Sequence, residues 1–415
     1  MIKVRKALDT ILNHSLPLGT EEIPISATLG RVLAENIYSD INMPPFDRSA
    51  MDGFAINSKD KSKAFKIIED IPAGKVPKKK IKLGQCARIM TGAMLPNGAD
   101  KVIKVEDTEP RRALPPACRQ AGLSVAGSGI QITRYDKKTN VSKLGEDIRK
   151  GELILKKGTK LRPQEAAMLA TVGKSSVKVT RQPKVSIIST GSELVEPNKK
   201  PKQGQIRNSN ASMLLVQLKR RGIDAKYLGI ARDNFALTKK LIKKALAKSD
   251  ILLLSGGVSV GDYDFVKEAL KSCGVKIHFN KVAIKPGKPT VFGTKGKKLV
   301  FGLPGNPVSV LVIFEFFVVP AIDKIVGRRA KTKLKPMKLL KDFSRHDSKR
   351  EQYYPVKIKT GNRGFQPQGP EAFALPLEFH GSAHMSALTE AEGIMQIKRG
   401  IKSLKKGTIV NVRPI

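Results

Sequence analysis

The chain has 415 residues, a formal net charge of +41 and 40% hydrophobic residues. That length exceeds one hydrophobic core, so two to four domains are expected, and the apolar share is ordinary for a globular protein. Trp is absent and the lysines are spread over nearly every exposed segment, which excludes a focused, aromatic-lined nucleic-acid reader and leaves at most weak, salt-sensitive, non-specific binding.

In chain order, Met1–Leu12 is charged and helix-patterned, with Val4, Leu8, Ile11 and Leu12 on one face, unlike a signal peptide. From Met43 to Thr139, short alternating runs broken by Pro and Gly predict a small β-rich domain inserted into a larger one. Gln164–Val172 reads as a helix opened by Pro163. From about Lys174 to Gly327, strands and helices alternate, the pattern of a doubly wound sheet. Strand Lys184–Ser189 leads to a helix from about Ser209 to Arg221, with Asn208 as cap and Gly222 as terminator. Strand Ala225–Ile230 leads through Asp233 into helix Phe235–Ala247, and strand Asp250–Ser255 into helix Asp264–Ser272. Strand Leu299–Phe301 precedes an apolar helix, Val308–Val326. Interrupted by Glu315, that helix is too short for a bilayer and is expected to be buried, so no membrane partner is expected. Gly327–Lys338 is a basic linker, and the remainder to Ile415 predicts a small β-domain. Cys86, Cys118 and Cys273 form no CxxC pair, which suits a reducing cytoplasm.

Three loops carry most of the functional signal: Thr190-Gly191-Ser192-Glu193, the run Ser255 to Asp262 and the run Gly302 to Pro307. Each follows an apolar strand-like run, and loops leaving the carboxyl ends of strands in an open sheet share one crevice. Glycine lets backbone amides approach an anion, and a following helix start adds positive potential. Thr190, Gly191, Ser255, Gly256, Gly257, Ser259, Pro304, Gly305, Asn306, Pro307 and Ser309 are therefore candidates for holding a phosphate-bearing ligand. Asn306 and Ser309 also suit a plain helix start, with Pro307 at its first position. Lys281, Lys285 and Lys288 flank or form a Lys-Pro-Gly-Lys-Pro turn, where a lysine offers a compact charge to phosphate or an oxyanion. His380 and His384 are four apart, but without neighbouring Cys they read as structural rather than zinc-binding. There is no Ser–His–Asp pattern and no Walker-type loop.

Several ordered strings resemble one family, the molybdopterin molybdenumtransferases (the MoeA family, also seen as the C-terminal domain of gephyrin). They are Pro44 to Ala55, Arg88 to Ala93, Gly145-Glu146-Asp147-Ile148, Ser189-Thr190-Gly191, Gly204-Gln205-Ile206 with Asn208-Ser209-Asn210, Ser255 to Asp264, Lys285 to Pro289 and Gly302 to Ser309. The resemblance covers nearly the whole chain.

It implies a four-domain α/β protomer and a homodimer. The expected parts are a molybdopterin-binding-like doubly wound domain (1–22 plus 174–328), a small connecting α/β domain (23–47 plus 142–173), an inserted β-rich domain (48–141) and a C-terminal β-barrel-like domain (329–415). It also implies insertion of molybdate into adenylyl-molybdopterin with Mg²⁺, releasing AMP and molybdenum cofactor, downstream of a molybdopterin adenylyltransferase. Because Mg²⁺ is hard and prefers carboxylates, Glu193, Asp233 and Asp264 are its expected ligands. Asp233 and Asp264 equally suit caps of the helices that follow. Asp52, Asp147, Glu193, Asp264 and Lys285 are implied as the catalytic set, with a second protomer completing the cleft. Ser192 stands where the family often has Asp, Met94 replaces a frequent Pro, and Pro110–Gly129 has no counterpart and reads as an exposed loop. The rival readings are the related adenylyltransferase, a single α/β domain, and a non-catalytic scaffold or nucleic-acid-binding protein.

Overall fold

The computed structural model describes residues 1–110, 129–258, 265–328, 334–360 and 372–415. These divide into two compact units: Met1–Glu35 with Gly158–Pro163 and Ser176–Ile415, and Asn36–Lys157 with Gln164–Ser175.

The first unit is built on a six-stranded sheet. Its strands are β1 (Val185–Thr190), β2 (Ala225–Ala231), β3 (Ile251–Ser255), β4 (Lys276–Phe279), β5 (Val291–Lys295) and β6 (Lys298–Leu303), in the spatial order β2-β1-β3-β6-β5-β4. β2, β1, β3 and β6 run parallel, while β5 and β4 are antiparallel additions at one edge. Every residue of β1 and β3 is buried, as expected for strands covered on both faces. Alternate residues serve opposite cores. Ile187, Leu253 and Phe301 join helices α1 (Val4–His14) and α2 (Ser209–Lys219), whereas Ile188, Leu252 and Val300 join α3 (Phe235–Lys248) and α4 (Phe265–Ser272). The expected doubly wound α/β architecture is present, with two antiparallel strands that strand–helix alternation did not suggest.

The long apolar segment after β6 is not one regular helix. It runs as α5 (Pro307–Ile313), a π-helical turn (Phe314–Val318) and α6 (Val319–Ile325). Pro320 cannot donate into the ladder and its ring crowds the preceding turn, and the helix widens just before it. Glu315, in the widened turn, is 2% exposed and accepts from Arg413 Nη2 at 2.7 Å, Arg413 Nε at 2.8 Å and Arg220 Nη2 at 3.0 Å. Arg413 lies in the last strand of a closed five-stranded barrel, formed by Glu351–Thr360, Ala372–Pro376, Lys335–Leu339, Ile409–Pro414 and Gly393–Ile397. A buried ion pair thus anchors the expected C-terminal barrel to the α/β core.

In the second unit a six-stranded sheet runs in the order Lys101–Lys104, Gly53–Ile56, Gln85–Ile89, Ala64–Ile71, Gly129–Ile132, Thr108–Pro110. It packs Phe54, Phe65, Ile67 and Cys86 in one core and Ala55, Ile71, Ile89 and Val102 in another. Burial pushes the Cys86 thiol up to about 12, which keeps it inert. Among the described residues no helix is long and apolar enough to cross a membrane.

Candidate active site

The carboxyl ends of β1, β3 and β6 lie side by side, with Ser189 opposite Ser255 and Ser255 opposite Leu303. The three glycine loops therefore leave the sheet together. Gly256 N–H donates to Leu303 O at 3.1 Å, and Thr190 Oγ1 donates to Ser255 O at 3.4 Å. Gly256 has φ +91°, and a Cβ there would lie 2.3 Å from Thr190 O. Only glycine permits this approach of two backbones. Asn208 caps α2, its side chain accepting from Ala211 N–H at 3.3 Å and from Ser189 Oγ at 3.2 Å.

The loop after β1 is tied to the loop after β2 by a reciprocal pair. Ser192 N–H donates to Asp233 Oδ2 at 3.0 Å, and Asp233 N–H donates to Ser192 Oγ at 3.0 Å. Asp233 therefore does not cap the following helix, because the neighbouring Asn234 accepts from Leu237 N–H at 2.9 Å and takes that role. The exposed Glu193 carboxylate folds back over Gly191, where a Cβ would meet its Oε2 at 2.3 Å. Glu193 and Asp233 thus place hard oxygen donors on two adjoining loops. Among the described residues no group of three or more potential metal ligands is assembled. This donor set fits a magnesium ion that retains water and takes further oxygens from a phosphate. Ser259 and Asp264 lie outside the described residues.

Beside the β6 loop opens a cavity of about 510 Å³. Pro304, Gly305, Asn306 and Ser309 form one side, Lys285 and Lys288 another, and Arg350, Gln352, Phe379 and Ser382 of the barrel close it. The barrel is held there by a short parallel pairing that sets Lys285 beside Gln352. Asn306 does not cap α5 with its side chain; its Nδ2 donates to Ser382 Oγ at 2.7 Å. Three cations and no carboxylate line the cavity among the described residues. Arg350 pairs with Asp347 at 3.7 Å, outside the lining. Such a lining offers the charge and hydrogen-bond donors that an oxyanion requires.

In the second unit, Asp52 Oδ1 accepts from Thr91 N–H and Thr91 Oγ1, both at 2.7 Å. These bonds, with Arg88 nearby, hold its carboxyl below the usual range. Asp147 is exposed, and its N–H donates to Met43 O at 3.0 Å.

Three family models together match most of the chain: the MoeA N-terminal region (domain I and II) at residues 2–173, a probable molybdopterin binding domain at 186–324, and the MoeA C-terminal region (domain IV) at 338–415. The molybdopterin molybdenumtransferase of Bacillus subtilis is 35% identical over 420 residues, covering 99% of this chain and 93% of the relative. This chain belongs to the MoeA family. The Staphylococcus epidermidis molybdopterin molybdenumtransferase is 33% identical over 419 residues, covering 99% of this chain and 95% of that protein. A crystal structure of the molybdopterin biosynthesis MoeA protein from Pyrococcus horikoshii OT3 superimposes with a TM-score of 0.79 at 30% identity, covering 100% of both chains.

Against the MoeA pattern read from sequence, the structure gathers Thr190, Gly191, Glu193, Asp233, Ser255, Gly256, Gly257 and Gly305 around the sheet rim, and Lys285, Lys288, Pro304, Asn306 and Ser309 around the cavity. Lys281 is not among the cavity residues; its carbonyl accepts from Ile2 N–H. Pro307 opens α5 without lining the cavity. Sequence reasoning missed Arg350, Gln352, Phe379, Gly381 and Ser382, which come from the barrel. It also left Asn210 unassigned, although the Asn-Ser-Asn string drew attention to it. His380 and His384 interact locally, His380 N–H donating to His384 Nδ1 at 3.2 Å.

Proposed function

We propose that this chain is a molybdopterin molybdenumtransferase, an enzyme of molybdenum cofactor biosynthesis that joins molybdate to adenylyl-molybdopterin and releases AMP. The observation that carries this reading is the cationic cavity, whose Gly305–Asn306 wall belongs to the same glycine loops that form the sheet rim. A phosphate site and an oxyanion site thus share a wall, as a reaction between a nucleotide-activated ligand and a metal oxyanion requires.

In this reading the loops at Thr190–Gly191, Ser255–Gly257 and Pro304–Gly305 bind the adenylyl phosphate. Lys285, Lys288 and Arg350 neutralise molybdate and orient it, while Asn306, Ser309 and Gln352 border it. Glu193 and Asp233 hold magnesium, which supplies charge neutralisation at the phosphoanhydride. The family resemblance also assigns Asp52 and Asp147 to the reaction, in a cleft completed by the second protomer. The chain works as a cytoplasmic homodimer, an assignment supported by the family resemblance and by three cysteines with no paired spacing.

The test is AMP release from adenylyl-molybdopterin, with molybdate and then tungstate added to the full chain. Oxyanion-dependent release is expected; no release, together with adenylyl transfer when molybdopterin and ATP are supplied instead, would favour the adenylyltransferase reading. A mixture of Asp52→Asn and Glu193→Gln protomers tests the dimer, with recovered activity expected in hybrids and none if each protomer works alone.

A further inference from the structure

We propose that Asn210 is the positioning residue that sets the spacing between the β3 and β6 glycine loops; the proposal rests on reading the sheet rim as a phosphate site. Asn210 sits in the first turn of α2. Its Nδ2 donates to Ser255 Oγ at 2.9 Å and to Gly305 O at 2.6 Å. A backbone carbonyl cannot donate, so the amide nitrogen must face Gly305 and the orientation of the side chain is fixed by chemistry. One primary amide therefore staples the residue that opens one phosphate loop to the middle of the other.

Two further observations make this more than incidental packing. Asn210 Oδ1 is buried and has no hydrogen-bond partner among the described residues. A buried, unsatisfied acceptor is unfavourable, and Ser or Ala at this half-buried helix start would avoid it. The amide is thus kept for what its nitrogen does. The base from which Asn210 reaches is also immobilised. Asn208, 2% exposed, is held by Ser189 Oγ and Ala211 N–H and donates to Tyr227 OH at 2.8 Å, and Tyr227 OH donates to Glu196 Oε1 at 2.9 Å. Burial and Glu196 hold the Tyr227 phenol protonated, so that last bond persists. With α2 fixed from below, Asn210 sets the loop spacing rather than following it.

The experiment measures AMP binding by calorimetry and amide exchange by mass spectrometry on the full chain, in wild type, Asn210→Ala and Asn210→Ser. Losing two neutral hydrogen bonds that preorganise the loops should weaken AMP binding about tenfold. Exchange across residues 255–257 and 304–306 should quicken, while that of α3 stays unchanged. Asn210→Ser suits a first helical turn and gives the readout should the Ala protein not fold. A role confined to helix stability would lower the melting midpoint and leave AMP affinity and loop exchange unmoved, and that result overturns the proposal. Wild type failing to bind AMP would instead sink the phosphate-site reading itself.

Discussion

At the sheet rim, the groups proposed to hold a phosphate are mostly backbone: the glycine loops after β1, β3 and β6, drawn together until Gly256 lies against Thr190. At the facing cavity wall they are side chains: Lys285, Lys288, Arg350 and Gln352, delivered by a turn and a barrel. The rim owes its geometry to the absence of side chains, and the wall to docking between two folded parts. The rim should therefore fail by steric intrusion and the wall by loss of charge or of the ion pair that seats the barrel.

The largest effect is expected where the docking itself is broken. Glu315→Ala leaves Arg413 buried without its partner and should lower unfolding free energy by about 4 kcal/mol, measured by urea titration. A loss below about 1 kcal/mol would show that the barrel is seated by apolar contact alone. Gly256→Ala comes next. Its methyl group would press on a backbone carbonyl at a positive φ, costing about 3 kcal/mol and abolishing AMP release. Wild-type activity in that protein would remove the rim from the reaction. Arg350→Ala should leave the melting midpoint within about a degree or two while raising the molybdate needed for half-maximal AMP release about thirtyfold, the equivalent of about 2 kcal/mol for a charge-assisted contact. An unchanged molybdate dependence would detach the barrel from oxyanion binding.

The smallest effect concerns Asp52. Its folded pKa lies below the ordinary 3.8 because Thr91 donates twice to it. The charged form therefore adds stability above the unfolded value, and that stability is lost as pH falls through the folded pKa. Thr91→Val removes one donor and should move the Asp52 titration upward, observable by carboxyl NMR. A titration that stays in place would mean the backbone N–H alone sets it.

The same contrast explains what was legible in the sequence. β1, β3 and β6 are short apolar runs closed by glycine, a pattern that forces buried strands and exposes their loops. The Asn208 cap was equally plain. Asp233 was open to two readings because Asn234 beside it competes for the same capping role, and only geometry shows that Ser192 claims the aspartate. Arg350, Gln352 and Ser382 gave no signal, since barrel closure brings them to the cavity from 45 or more residues beyond Gly305. The π-helical turn was hidden inside a run of apolar residues buried on all sides, where periodicity carries no phase information.

The closed barrel has a consequence for the cavity it borders. With every strand paired on both sides it has no free edge along which to slip, so the face bearing Gln352 acts as a fixed jaw. Arg350, which immediately precedes the strand bearing Gln352, is carried on the same closed frame.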